Sequence, residues 1–150
     1  MDREQEKDTR SHVTVNFFTP QDVGPRDWGR EILIAHVPGK YTGKILMMKA
    51  GARGGLQYHR KKHEVGHLFS GELIVEYDSG DGKISKRTMK PGESIHIPPG
   101  AVHRETAVTD CTIFETSNPV FNDRVRMEEH YGEKIEGGLP TTQESEIRIE

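Results

Sequence analysis

Between residues 38 and 100 the chain is cut by turn-forming clusters at nearly regular intervals, and this punctuation constrains its fold more than any other feature. The clusters are Pro38-Gly39, residues 51–55, Ser70-Gly71, residues 78–82, Pro91-Gly92 and Pro98-Pro99-Gly100. The stretches between them are too short for ordinary helices and read as strands. With their neighbours on either side, the expected strands are residues 13–18, 31–37, 44–50, 64–69, 72–77, 84–89, 94–97 and 112–116. Asp81-Gly82, between two of these, marks a hairpin, because both residues accept the positive φ that such turns need. No segment before residue 120 carries a helical period. The expectation is an all-β sandwich or barrel.

The two ends differ from this body. Residues 1–11 form a polar arm, 12–118 the barrel, and 119–150 a tail with one short helix over residues 123–130, where the sequence is amphipathic. A chain of 150 residues makes one domain with a viable core. Mean hydropathy is -0.75, and the longest apolar runs, Ile32-Leu33-Ile34-Ala35 and Ile45-Leu46-Met47-Met48, are far too short to span a bilayer. Charges of both signs interleave to a net -3, which excludes the basic stripe of a nucleic-acid binder. The single cysteine, Cys111, excludes an internal disulfide framework and a cysteine-rich zinc knuckle. With a charged N-terminus that lacks a secretory apolar stretch, it points to a reducing, cytoplasmic setting.

Histidine carries the chemical signal. Five of the eight histidines fall in two windows, 54–71 and 92–103. Imidazoles and carboxylates together in a small barrel suggest a divalent transition metal, and two ligand choices compete. His63-Glu64-Val65-Gly66-His67 spells His-Glu-x-x-His, a zinc protease signature that works only on a helix, where both histidines share one face. Here Gly66 interrupts the motif and a turn and strand follow at once. On a strand His63 and His67 stand roughly 13 Å apart, too far to grip one ion. The second choice takes Gln57 and His59, two apart and therefore on one strand face, with Glu64 from the next strand and His103 from a separate hairpin.

The second spacing, with Gly71, Gly92, Pro98 and Gly100 at its fixed points, resembles the two motifs of the cupin family over residues 42–116. The resemblance implies a double-stranded β-helix, or jelly-roll barrel, with His59, Glu64 and His103 as metal ligands. Gln57 stands where most cupins have histidine, and Gln-x-His resembles the phosphomannose-isomerase branch, including the barrel fused to mannose-1-phosphate guanylyltransferases. Arg26-Asp27-Trp28-Gly29, residues 41–44, residues 123–126 and Tyr131-Gly132 also resemble that branch. Lys62 and Gly66 depart from its arginine and tryptophan, so the substrate is open among a sugar phosphate, a nucleotide sugar and a keto acid.

The chemistry this resemblance implies is that of one divalent metal held by Gln57, His59, Glu64 and His103. Zinc is the leading choice, with manganese, iron, nickel or cobalt compatible. Such an ion, clamping a carbonyl and the neighbouring hydroxyl, stabilises charge as a proton shifts between carbons. The leading reading is therefore an isomerase or epimerase, against an iron-dependent dioxygenase or a metal-bearing barrel without turnover. Lys62, in the basic run Arg60-Lys61-Lys62, is the expected anchor for a small anionic substrate. His96 is the candidate base, on a strand whose inward face the sequence leaves open. Arg124 and Arg126 are either solvated or phosphate-binding, Cys111 is expected in the packing, and Trp28 as a barrel plug. Neither nucleic acid nor membrane is an expected partner; a homodimer exchanging terminal segments is.

Overall fold

The computed structural model describes residues 12–149; the expected polar arm lies outside the described residues. Eleven strands run in the order β1 Gln21–Arg26, β2 Gly29–Val37, β3 Tyr41–Met48, β4 Gln57–His59, β5 Glu64–Ser70, β6 Leu73–Asp78, β7 Ile84–Met89, β8 Ser94–Ile97, β9 His103–Ala107, β10 Cys111–Ser117 and β11 Arg124–Arg126. They form two antiparallel sheets, ordered β1-β2-β3-β10-β5-β8 and β11-β4-β9-β6-β7. Alternate residues of both sheets turn inward, as the two-residue period of a strand dictates, and the sheets face each other as a jelly roll.

Strands bounded by strong turns lie where the sequence places them, β7 and β8 to the residue. The strands it does not reveal are β1, which contains Gly24 and Pro25 and shifts register between Asp22 and Pro25, and β9, whose five residues include one aliphatic side chain. Two expectations need correction. The helix over residues 123–130 is in fact β11 followed by a single 3₁₀ turn, Glu128–Tyr131. Here β11 supplies the missing neighbour of β4, pairing Arg124 with His59, Val125 with Tyr58 and Arg126 with Gln57. Its outcome is decided by this long-range pairing and not by local amphipathicity. Residues 13–18 carry a strand pattern but form no strand among the described residues, and Val13, Val15 and Phe17 are 79%, 75% and 95% exposed.

The barrel interior divides into two zones. Trp28, Leu46, Met48, Leu68, Leu73, Val75, Met89, Ala107, Cys111 and Ile113 form the apolar core, so the expected places of Trp28 and Cys111 hold. Further along the same inward faces the side chains are polar. Glu31 and Lys44, both buried, pair at 2.8 Å. In the turn between β5 and β6, Gly71 has φ +94°, and a Cβ there would lie 2.2 Å from the Asp110 carbonyl oxygen, so glycine alone fits.

The tail folds back over the polar end instead of standing apart. Pro140 accepts a hydrogen bond from Trp28 Nε1 at 2.8 Å, Leu139 accepts one from Arg124, and the Thr142 amide donates to the buried Glu31 carboxylate at 3.0 Å. Asn122 donates to the Thr142 carbonyl, and Gln21 exchanges hydrogen bonds with Glu146 and Arg148. No helix among the described residues is long and apolar enough to cross a membrane.

Candidate metal centre

Strand register brings the candidate ligands together. Gln57 and His59 share the inward face of β4, Gln57 stands directly opposite His103 on β9, and Glu64 opens β5 pointing inward beside Ile97 of β8. His59, Glu64 and His103 are all buried, and one ligand atom of each lies within 4.8 Å of the others. Glu64 Oε1 is 3.5 Å from His59 Nε2 and 3.8 Å from His103 Nε2. Two donors each about 2.1 Å from a shared ion stand roughly 3–3.5 Å apart, so small adjustments suffice to hold one.

The imidazoles are also fixed in orientation. His59 Nδ1 lies 3.1 Å from Asp123 Oδ1, and His103 Nδ1 lies 2.9 Å from the Ala101 carbonyl oxygen. Each Nδ1 is placed to donate its proton to an oxygen, which leaves the Nε2 lone pair aimed at the centre, the tautomer a metal requires. Burial holds the His103 imidazole below its ordinary pKa, and Glu64 only partly opposes this, so the ring is neutral. The residues present therefore fit a divalent ion with mixed nitrogen and oxygen donors. Gln57 lines the same cavity and could add an amide oxygen.

Around the three ligands lies a polar cavity of about 70 Å³ that also touches Lys62, Glu105, Glu115, Arg124 and the tail residues Leu139 and Thr141. Lys62 is not an anchor at an open mouth. It stands two residues before Glu64, in the same inward phase, and is buried, with Nζ 2.8 Å from Glu64 Oε2 and 3.3 Å from Glu115 Oε1. Burial alone would lower its pKa, but Glu115 and Glu64 outweigh that and keep it charged. Lys62 lies off the hydrogen-bonding direction of Glu64 Oε2, which is buried without such a partner among the described residues. Burial would raise the Glu64 carboxyl, yet hydrogen bonding from Glu115 and the nearby Lys62 charge hold it well below its ordinary value. Glu115 itself is pushed up to about 8 by burial, Lys62 offsetting part of the shift.

His96 is likewise displaced from its expected role. It lies opposite Val65 on the outer face of the sheet and is exposed; its Nε2 is 3.0 Å from His63 Nδ1, and the two rings stack. It is not among the residues lining the polar cavity. Its ring packs on His63, while the residue also borders a second cavity that His103 reaches. His63 and His67 also turn outward, with His67 bonded to Ser94 Oγ, so the His-Glu-x-x-His arrangement holds no common centre.

Two cavity residues were not singled out in the sequence. Glu105 follows His103 by two on β9 and so shares its inward face; it has no ion pair or side-chain hydrogen bond among the described residues, and burial raises its carboxyl to about 7. Glu115 projects inward from β10 opposite Gly66. The readable signal was their strand phase: Glu105 matches His103, and Glu115 matches the buried Ile113.

Comparison with known proteins agrees with this geometry. Residues 44–115 match the profile of the cupin domain. A germin-like protein, subfamily 3 member 2, from Arabidopsis thaliana is 28% identical over 108 residues, covering 69% of this chain and 44% of its own length. The capsular polysaccharide assembling protein CapF from Staphylococcus aureus superposes with a TM-score of 0.63 at 19% identity, over 73% of this chain and 32% of CapF. KdgF from Halomonas sp. superposes with a TM-score of 0.58 at 22% identity, over 71% of this chain and 92% of KdgF. The chain thus spans less than half the length of its germin-like relative and about a third of CapF. His59, Glu64 and His103, which converge between the two sheets, all fall within the residues that match the cupin domain profile.

Proposed function

We propose that this cupin is a metal-dependent enzyme that moves a proton between adjacent carbons of a small, anionic carbonyl compound, as an isomerase or epimerase of a sugar derivative or keto acid. The observation that carries the reading is the convergence of His59 Nε2, His103 Nε2 and Glu64 Oε1 in one cavity with Glu105, a carboxylate without a cationic partner among the described residues. A bound divalent ion, with zinc the leading choice, supplies Lewis acidity toward the substrate oxygens. His59, Glu64 and His103 hold it, with Gln57 as a further oxygen donor. Glu105, on the same face as His103 and without an ion pair or side-chain hydrogen bond among the described residues, accepts the proton in place of His96. Lys62 is already paired with Glu64, so the anionic end falls to Arg124, whose Nε is buried in the cavity wall without a partner among the described residues.

The test begins with elemental analysis of protein purified without added metal. Sugar phosphates and keto acids are then incubated with it in heavy water. Deuterium should enter the carbon beside the carbonyl without oxygen consumption, and Glu105→Gln should slow this about 10²–10⁴-fold while metal content stays. Oxygen uptake with iron and no exchange would instead make the protein a dioxygenase.

A homodimer belongs to the same proposal. Phe69 and Phe114 stack at 5.2 Å on the outer face of the larger sheet, 60% and 37% exposed, and the unpaired strand pattern of residues 13–18 offers a segment to exchange. Light scattering at micromolar concentration should give twice the chain mass; a monomer removes this part.

A further inference from the structure

A second cavity, of about 270 Å³, lies between the two sheets where their free edges, β7 and β8, fail to meet. Its walls are mainly apolar, from Val75, Tyr77, Met89, Ile95, Ile97 and Val102, with Asp78, Ser94 and His96 also bordering it, and it reaches His103. The register places it close to the candidate metal centre. Ile97 is the cross-strand neighbour of Glu64, and Tyr77 that of His103, so two wall residues stand one strand spacing, about 5 Å, from two candidate ligands. The polar cavity meets the slot at His103, the one residue that lines both, and extends beneath Leu139 and Thr141 of the tail. The tail therefore closes that side, while the slot between β7 and β8 opens to solvent past Arg87 and Glu93, an exposed ion pair at its rim. Exposed pairs of this kind are weakly held and separate readily.

We propose that this slot is a binding site for the apolar arm of a ligand whose oxygen-bearing head sits at His59, Glu64 and His103. The inference rests on the proposed metal reading and narrows its substrate class to carbonyl acids bearing an aliphatic or aromatic side chain, as opposed to sugars hydroxylated throughout. The size difference supports it. The polar cavity of about 70 Å³ has room for a few water-sized groups, whereas an apolar cavity of about 150 Å³ already accepts benzene, and the slot is larger. Concave sites with apolar walls and a few convergent polar groups at one end are the usual form of small-molecule sites.

The experiment has two arms. In the first, indole is titrated into metal-free protein by calorimetry; one saturable site is expected, and it should vanish in Ile95→Trp, whose indole ring fills the slot. In the second, zinc-loaded protein is titrated with 2-oxo acids of increasing arm length, from 2-oxopropanoate to 2-oxohexanoate and phenylpyruvate. Affinity should rise about threefold to fourfold per methylene in the wild type. In Ile95→Trp it should be flat, with zinc content and 2-oxopropanoate affinity unchanged. Val102→Phe, on a loop, serves the same purpose should Ile95→Trp fail to fold. No indole site, or an arm-length dependence that survives both substitutions, overturns the slot. Indole bound in metal-free protein with no zinc retained overturns the metal reading and leaves the slot standing.

Discussion

Asp123 Oδ1 lies 3.1 Å from His59 Nδ1, while Oδ2 of the same carboxylate accepts the backbone N–H of Lys61 at 2.6 Å and of Lys62 at 2.9 Å. One side chain from the tail thus fixes both the ring of a candidate ligand and the turn that leads from β4 to Glu64. Asp123→Asn keeps the shape but weakens the pull on the Nδ1 proton. Metal affinity should fall roughly 10–100-fold with little change in fold, as read by competition with a chromogenic chelator.

Histidine substitutions should separate inward from outward positions. His103→Ala should remove most bound metal, because its Nε2 faces Glu64. His67→Ala and His96→Ala should retain it, since both rings lie on the outer sheet face. Equal loss from His67→Ala would restore the His-Glu-x-x-His reading.

The half-buried Glu105, lining the polar cavity, gives the metal-free protein a distinctive pH dependence. Its carboxyl is raised to about 7 from an ordinary value near 4.5, so the folded state binds the proton more tightly than the unfolded state. The stabilisation is complete below the unfolded value and is lost as pH rises through 4.5 toward 7. Glu105→Gln should therefore raise Tm at pH 8 relative to the wild type and do little at pH 4.5, in thermal unfolding with chelator present. An equal shift at both values would show that Glu105 titrates normally.

Removing the tail after Glu136 should open the polar cavity. Trp28, the sole tryptophan, is buried and donates to the Pro140 carbonyl, so its loss of cover is optically visible. Fluorescence should shift to the red and metal release to a chelator should quicken. Unchanged emission would mean that the tail does not hold this position in solution.

The parts of the barrel legible in the sequence are those where local chemistry and global pairing agree. Ile84–Met89 is bounded by the Asp81-Gly82 turn and by Pro91-Gly92, and nothing distant changes that outcome. The stretch Arg124–Arg126 is different, because its neighbours suit a helix and only its pairing with β4, far earlier in the chain, makes it a strand. Residues 13–18 show the converse: the pattern is that of a strand, but a strand exists only with a partner. At the site, His59, Glu64 and His103 were readable from spacing. The places of Lys62 and His96 were not, since a single residue of strand phase decides whether a side chain faces the cavity or the solvent.

The pairing that completes the site is thin. Between β4 and β9 the register contains one partnership, Gln57 with His103, where β6 and β9 share five. His59 and His103 lie on opposite sides of that seam, far apart along a chain whose one cysteine leaves no internal covalent cross-link. An ion gripping both would tie the chain into a closed loop, as a disulfide does. The chain-entropy estimate for a loop of that span is about 4 kcal/mol. In this barrel the same atom that equips the site for chemistry would also act as the rivet of its weakest joint.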